Sequence, residues 1–182
     1  MSEKFIYFAL HYQPELTSSP LGGLYVNQLL PIKLLSYYLP DDVKIYVKEH
    51  PAQTCMGRNT DLYDELLKIP KVILIKQSVS SYTLVKNSIA VSSLTGTVGW
   101  EAQFFGKPFI MFGTYLSQCL EGTYKVKTNE ECKNAIEEIL KGHQCMTEKN
   151  LKLFIKAMDL HSFEIGSDID TAWRYVKEII DL

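Results

Sequence analysis

Between Ala90 and Gly113 the chain reads AVSSLTGTVGWEAQFFGKPFIMFG, with Ser92, Ser93, Thr95, Gly96 and Thr97 set between an apolar run and a helix-forming stretch. Short residues at a helix start leave backbone N–H groups open, and the helix dipole points the same way, so the pattern predicts a site for a phosphate-bearing ligand. His50 stands directly before Pro51. Proline holds the preceding residue extended, and an imidazole held so can donate to a phosphate; a turn histidine bonded to a neighbouring carbonyl is the alternative. Glu101 falls in the first turns of the helix after Gly96, where a carboxylate complements the dipole or accepts from ribose hydroxyls. Glu15 lies in the long Tyr12–Gly23 loop beside Thr17, Ser18 and Ser19. It is the candidate general base or acceptor-orienting group, with a solvated loop carboxylate as the other reading. Lys48 and Arg58 read as surface charges, with phosphate contact as the alternative.

These residues need elements to hold them. Apolar runs at Lys4–Leu10, Val43–Lys48, Lys71–Lys76, Ile89–Ser93, Pro108–Phe112 and Thr123–Val126 read as strands. Helical spacing covers Leu24–Leu39, where Pro31 predicts a kink, then Asp61–Lys68, Tyr82–Lys86 and the stretch ended by Gly106. Alternation of this kind predicts an α/β, Rossmann-like three-layer domain with a mainly parallel sheet. Asn129–Lys141, Glu148–Met158 and Asp168–Leu182 read as a helical carboxy-terminal tail packed on the sheet or across its edge. The expected organisation is one Rossmann-like domain over 1–182, with a sheet core at about 4–126 and the tail at about 127–182. In an open parallel sheet the ligand lies beyond the carboxyl ends of the strands. His11, Gln13 and Glu15, Glu49 and His50, Ser78, Ser80 and Ser81, and Ser92–Thr95 all follow strands there.

Composition narrows the class. At 182 residues, 46% of them hydrophobic and with a net charge of -2, the chain can build one substantial core. Lys and Arg are scattered, so no nucleic-acid footprint is expected. Four cysteines without CxxC spacing and four histidines without HxxH or HxH spacing predict reduced thiols and no metal site. Neither a signal peptide nor an apolar run of about 18 residues is evident, which places the expected protein in the cytoplasm, with peripheral contact at the inner face of the membrane left open.

The segments FALHYQPE followed by SPLGG, VKEHP at Val47–Pro51, and SSLTGTVGWEAQFFGKPFIMFG together resemble the capsule polysaccharide biosynthesis proteins. The likeness runs from about Lys4 to Val126. It implies the carboxy-terminal, donor-binding half of a two-domain GT-B glycosyltransferase, similar to Kdo transferases. The implied substrate is a nucleotide-activated sugar, CMP-linked, with no further cofactor, and the implied acceptor is a glycan. By the same resemblance His50, Ser92, Ser93 and Thr95 contact the donor phosphate. A non-catalytic nucleotide- or glycan-binding subunit, an epimerase-like sugar-nucleotide enzyme and a glycerophosphotransferase-like enzyme are the alternatives. The first strand begins within a few residues of Met1, so an amino-terminal domain or partner subunit is expected from elsewhere.

Overall fold

The computed structural model describes residues 3–54, 58, 60–142 and 146–160. Two compact units divide the chain, Met1–Met146 and Thr147–Leu182. In the first, β1 (Lys4–Ala9), β2 (Val43–Lys48), β3 (Val72–Ile75), β4 (Ala90–Ser93), β5 (Phe109–Met111) and β6 (Thr123–Lys125) form one sheet in the order β3-β2-β1-β4-β5-β6. Every neighbouring pair is parallel, and β1 pairs Ile6 with Ile45 on one side and with Ala90 on the other.

A parallel sheet is covered on both faces by its crossover helices, so its strands are apolar throughout rather than alternating. In β1, Ile6 and Phe8 join Ile32, Leu35, Ile45 and Ile136 in one core, while Phe5 and Tyr7 join Leu84, Val85, Ala102 and Phe109 in the other. The helices between are α1 (Leu29–Tyr38), α2 (Asp61–Leu67), α3 (Ser81–Asn87) and α4 (Val98–Phe104), and α5 (Asn129–Leu140) follows β6. The three-layer α/β reading holds.

The Leu24–Leu39 helix divides. Gly23–Val26 is a separate 3-10 turn and α1 starts at Leu29. Pro31 is thus in the first turn, where its missing N–H would have had no intrahelical acceptor, and the expected mid-helix kink has no place to form. Gly106 ends α4 at φ +62 as expected. Gly99 has a different reason to be glycine: a Cβ there would stand 2.6 Å from the Phe109 ring, so its absence lets α4 lie close on β5.

Helix α5 opens with a capping box, in which Thr128 Oγ1 accepts from Glu131 N–H and the Glu131 carboxylate accepts from Thr128 N–H. In the second unit, α6 (Glu148–Leu160) places Leu151, Phe154, Ile155 and Met158 at helical spacing. The third expected tail helix, Asp168–Leu182, lies outside the described residues. Among the described residues no helix is long and apolar enough to cross a membrane.

Candidate functional site

The strand order reverses between β1 and β4, because the chain leaves β1 toward β2 on one side and returns to β4 on the other. In such sheets the crevice beyond the carboxyl ends at this reversal is where ligands bind. Two adjoining cavities open there. One, of about 220 Å³, is lined by His11, Glu15, Thr17, Ser93, Thr95 and Gly96, and the other, of about 230 Å³, by Tyr7, Lys48, Ser81 and Glu101. His50, Thr97 and Val98 line both. A larger groove of about 750 Å³ between Leu24, Leu30, Leu34 and Tyr37 carries none of these residues.

His11 is buried at the end of β1 and locked in place. Its N–H donates to Gln28 Oε1 at 2.8 Å, and its carbonyl accepts from Gln28 Nε2 at 3.1 Å and from the Arg58 guanidinium. Its Nε2 accepts the Thr95 N–H at 3.0 Å, which assigns the ring proton to Nδ1, 3.5 Å from Thr17 Oγ1. The Thr17 hydroxyl donates onward to Glu15 Oε2 at 2.8 Å. Burial holds the His11 pKa below its usual value, although the Thr95 bond and the Glu15 charge oppose the shift. A neutral imidazole that accepts a backbone N–H is what this geometry requires. Gly96, at φ +88, would place a Cβ 2.9 Å from His11 Cε1, so only glycine fits beneath the ring.

His50 is held from the other side. Its Nδ1 accepts the Ala52 N–H at 3.2 Å, which leaves the neutral-ring proton on Nε2. Its own N–H donates to Glu49 Oε1 at 2.6 Å, and its carbonyl accepts from Gln77 Nε2 at 2.7 Å. Glu49 also accepts from Tyr63 Oη at 2.6 Å and from Arg58 Nη2 at 3.0 Å. Arg58 Nε lies 2.7 Å from Glu49 Oε2, close enough for an ion pair but outside hydrogen-bond alignment. Burial, followed by the bond to Glu49, pushes the Tyr63 hydroxyl up to about 12. Arg58 is therefore no surface charge: it is 7% exposed and ties Gln13, His11 and Glu49 together through its guanidinium.

The anion ligands expected from the serine and threonine run separate on inspection of their partners. Ser92 lies outside both cavities, fully buried, with its hydroxyl donating to the Ile110 carbonyl at 3.1 Å. Ser93 and Thr95 line the first cavity, but their hydroxyl protons go to the carbonyls of Ala9 at 2.7 Å and Thr17 at 2.8 Å. These hydroxyls tie the end of β4 to β1 and the turn after it to the Tyr12–Gly23 loop rather than face outward as donors. Gly96, Thr97 and Val98 meet the cavity at the start of α4, whose opening N–H groups have no intrahelical acceptor. Glu101 lines the second cavity, where burial raises its carboxyl pKa against the opposing charge of Lys48. Glu15 borders the first cavity as an exposed carboxylate. Gly22 backs onto Ser18 O and Leu94 rather than onto the crevice. Among the described residues no group of three or more metal-ligating side chains converges.

The sequence put His11 at the ligand edge only as a residue that follows a strand, and read Lys48 as a surface charge with phosphate contact as the alternative; both line the cavities. Lys48 is 4% exposed and donates from Nζ to Ser81 Oγ at 2.9 Å.

The sequence profile of the family described as capsule polysaccharide biosynthesis protein matches residues 34–135. Comparison with curated proteins finds no match. Among solved structures, a UDP-GlcNAc 2-epimerase from Methanocaldococcus jannaschii, in complex with UDP-GlcNAc and UDP, aligns at a TM-score of 0.56 with 18% identity over 87% of this chain and 46% of its own. KpsC, a beta Kdo 2,7 transferase from Thermosulfurimonas dismutans, aligns at 0.53 with 21% identity over 74% of this chain and 45% of its own. The wall teichoic acid polymerase TagF aligns at 0.53 with 14% identity over 86% of this chain and 37% of its own. The chain thus spans less than half the length of these structures, and the likeness is one of fold.

Proposed function

The chain belongs to the capsule polysaccharide biosynthesis protein family, and on that premise we propose that it is the donor-binding half of a glycosyltransferase-like protein of the GT-B type. The donor in this reading is a nucleotide-activated sugar, with cytidine as its nucleotide, and the acceptor is a growing surface glycan. The observation that carries it is His50. Its imidazole borders both cavities at the strand reversal, with Nδ1 engaged and the Nε2 proton left to donate.

In a transfer step the bond from the anomeric carbon to the donor phosphate breaks, the acceptor oxygen bonds to that carbon, and the acceptor proton passes to a carboxylate. His50 Nε2–H beside the opening of α4 would stabilise charge as it develops on the leaving phosphate. His11 is unsuited to the proton-accepting role because its Nε2 already takes the Thr95 N–H. Glu15 is the better candidate: it is exposed, borders the cavity, and has one oxygen oriented by Thr17. The acceptor side of the cleft would come from a further domain or subunit, consistent with solved structures of which this chain covers only 45% and 37%.

Titration calorimetry with CMP, CDP, UMP and UDP tests the reading. Saturable binding to a cytidine nucleotide, weakened at least tenfold in His50→Ala, is expected. Absence of binding by all four, or binding unchanged in His50→Ala, overturns it. Preference for UDP together with release of an isomerised free sugar would favour an epimerase-like activity instead.

A further inference from the structure

The outer face of α1 is composed like an inner one. In LLPIKLLSYY only Lys33 is charged. Pro31, Ile32 and Leu35 are buried, while Leu30, Leu34 and Tyr37 recur at i, i+4 and i+7 on the other side. Leu30 is 47% exposed and Tyr37 79%, and Leu24, in the 3-10 turn ahead of the helix, is 84% exposed. A helix that is apolar on all sides is ordinarily covered on all sides. These side chains line the groove of about 750 Å³, and among the described residues no carboxylate lines it. Its charged groups are Lys33, which already pairs with Glu65 at 3.3 Å, and Lys127.

The charges are laid out along the helix. Lys127 stands at the end where α1 begins, its carbonyl accepting from Tyr25 Oη at 3.3 Å. The neighbouring Glu131 carboxylate is engaged by the Lys127 and Thr128 N–H groups. Asp41 and Asp42 follow the other end, and the ten residues of α1 span about 15 Å between. Their ion pairs, with Lys71 and Lys4, leave both carboxylates exposed. A face with a cation at one end, acids at the other and apolar side chains between is complementary to itself after half a rotation, which is what an isologous contact requires. We propose that this face is the interface of a two-fold homodimer, with the α1 helices of two copies antiparallel and Leu34 near the axis. Leu30 of each copy then packs toward Tyr37 of the other, and Lys127 of each meets Asp41 and Asp42 of the other. An anionic lipid surface would suit the two lysines but would meet the same two aspartates and be repelled by them. None of the crevice residues lines this groove, so the dimer is independent of the donor reading.

Analytical ultracentrifugation of the full chain over a range of concentrations tests it. Wild type should pass from monomer to dimer as concentration rises. Tyr37→Glu and, separately, Leu24→Glu alter exposed side chains, so both should keep the unfolding temperature of wild type while raising the dimer dissociation constant at least tenfold. Lys127→Asp should weaken the dimer, and so should Asp41→Lys combined with Asp42→Lys. An equal mixture of these two charge variants should pair as wild type does, because each mixed dimer regains opposite charges at both ends. A wild type that stays monomeric at every concentration overturns the proposal, as does a dimer that both glutamate variants leave intact. A mixture that pairs no better than its components overturns it too, since the ends then do not meet across a two-fold axis. A monomer that instead binds vesicles of phosphatidylcholine and phosphatidylglycerol, and loses them in Tyr37→Glu, assigns the face to lipid and overturns the dimer.

Discussion

The Thr95 N–H donates to His11 Nε2 across 3.0 Å and 84 residues of sequence, and that bond joins the two strand ends between which the crevice opens. It also decides the charge of the ring, since a protonated imidazole would have no lone pair to accept with.

His11 should therefore make the fold sensitive to acid. Its pKa is lowered in the folded state by burial, so above an unfolded value of about 6.5 it is neutral in both states and the stability is fully present. As pH falls below that value the unfolded chain takes the proton first, and stability is lost until the folded pKa is reached. Denaturant unfolding at pH 7.5 and 5.5 should show a loss of up to about 1.4 kcal/mol from this group. His11→Gln keeps an acceptor and should flatten that part of the slope, whereas His11→Ala should cost about 1–3 kcal/mol at pH 7.5 by stranding the Thr95 N–H. An unchanged slope in His11→Gln would show that the ring does not titrate this way.

Glycine 99 sets two effects against each other. Alanine gains at most about 1 kcal/mol over glycine in a helix, and Gly99 lies in the first turn of α4, where its Cβ would meet the Phe109 ring at 2.6 Å. Overpacking of this kind costs about 1–3 kcal/mol, so Gly99→Ala should lower the denaturation midpoint. A raised midpoint would mean that α4 does not press on β5 as described.

Arg58 and Glu49 form a nearly enclosed pair that also fixes the backbone of His50. Removing one partner of a buried pair costs about 3–5 kcal/mol, and Arg58→Ala should fall near the lower end because Tyr63 still donates to Glu49. Urea unfolding checks it, and a loss below about 1 kcal/mol would place the pair among exposed ones.

All six strands were legible because buried parallel strands are written as apolar runs. Lys48 was hidden by the same grammar. In VKIYVK the residues Val43, Ile45 and Val47 face one core, and Lys44, Tyr46 and Lys48 read as the solvent face. Lys48 is buried at the end of the strand, where it donates to Ser81 of α3, while Lys44 stays half-buried. His11 was noticed only as a residue after a strand, because its partners Gln28 and Thr95 are 17 and 84 positions away. Serine hydroxyls read as donors toward a ligand until their carbonyl acceptors in neighbouring strands are seen. Local patterning reports which element a residue occupies; it does not report which distant backbone group claims its proton.

That a nucleotide phosphate rests at the strand reversal is tested most directly by following backbone amides and the His50 imidazole by NMR while CMP is added to the full chain. Saturable shifts at Thr95–Val98 and at His50 Nε2, lost in His50→Ala while that variant keeps its fold, are predicted. Saturable shifts confined to the Leu24–Tyr38 groove, or none at Thr95–Val98 and His50, would refute it.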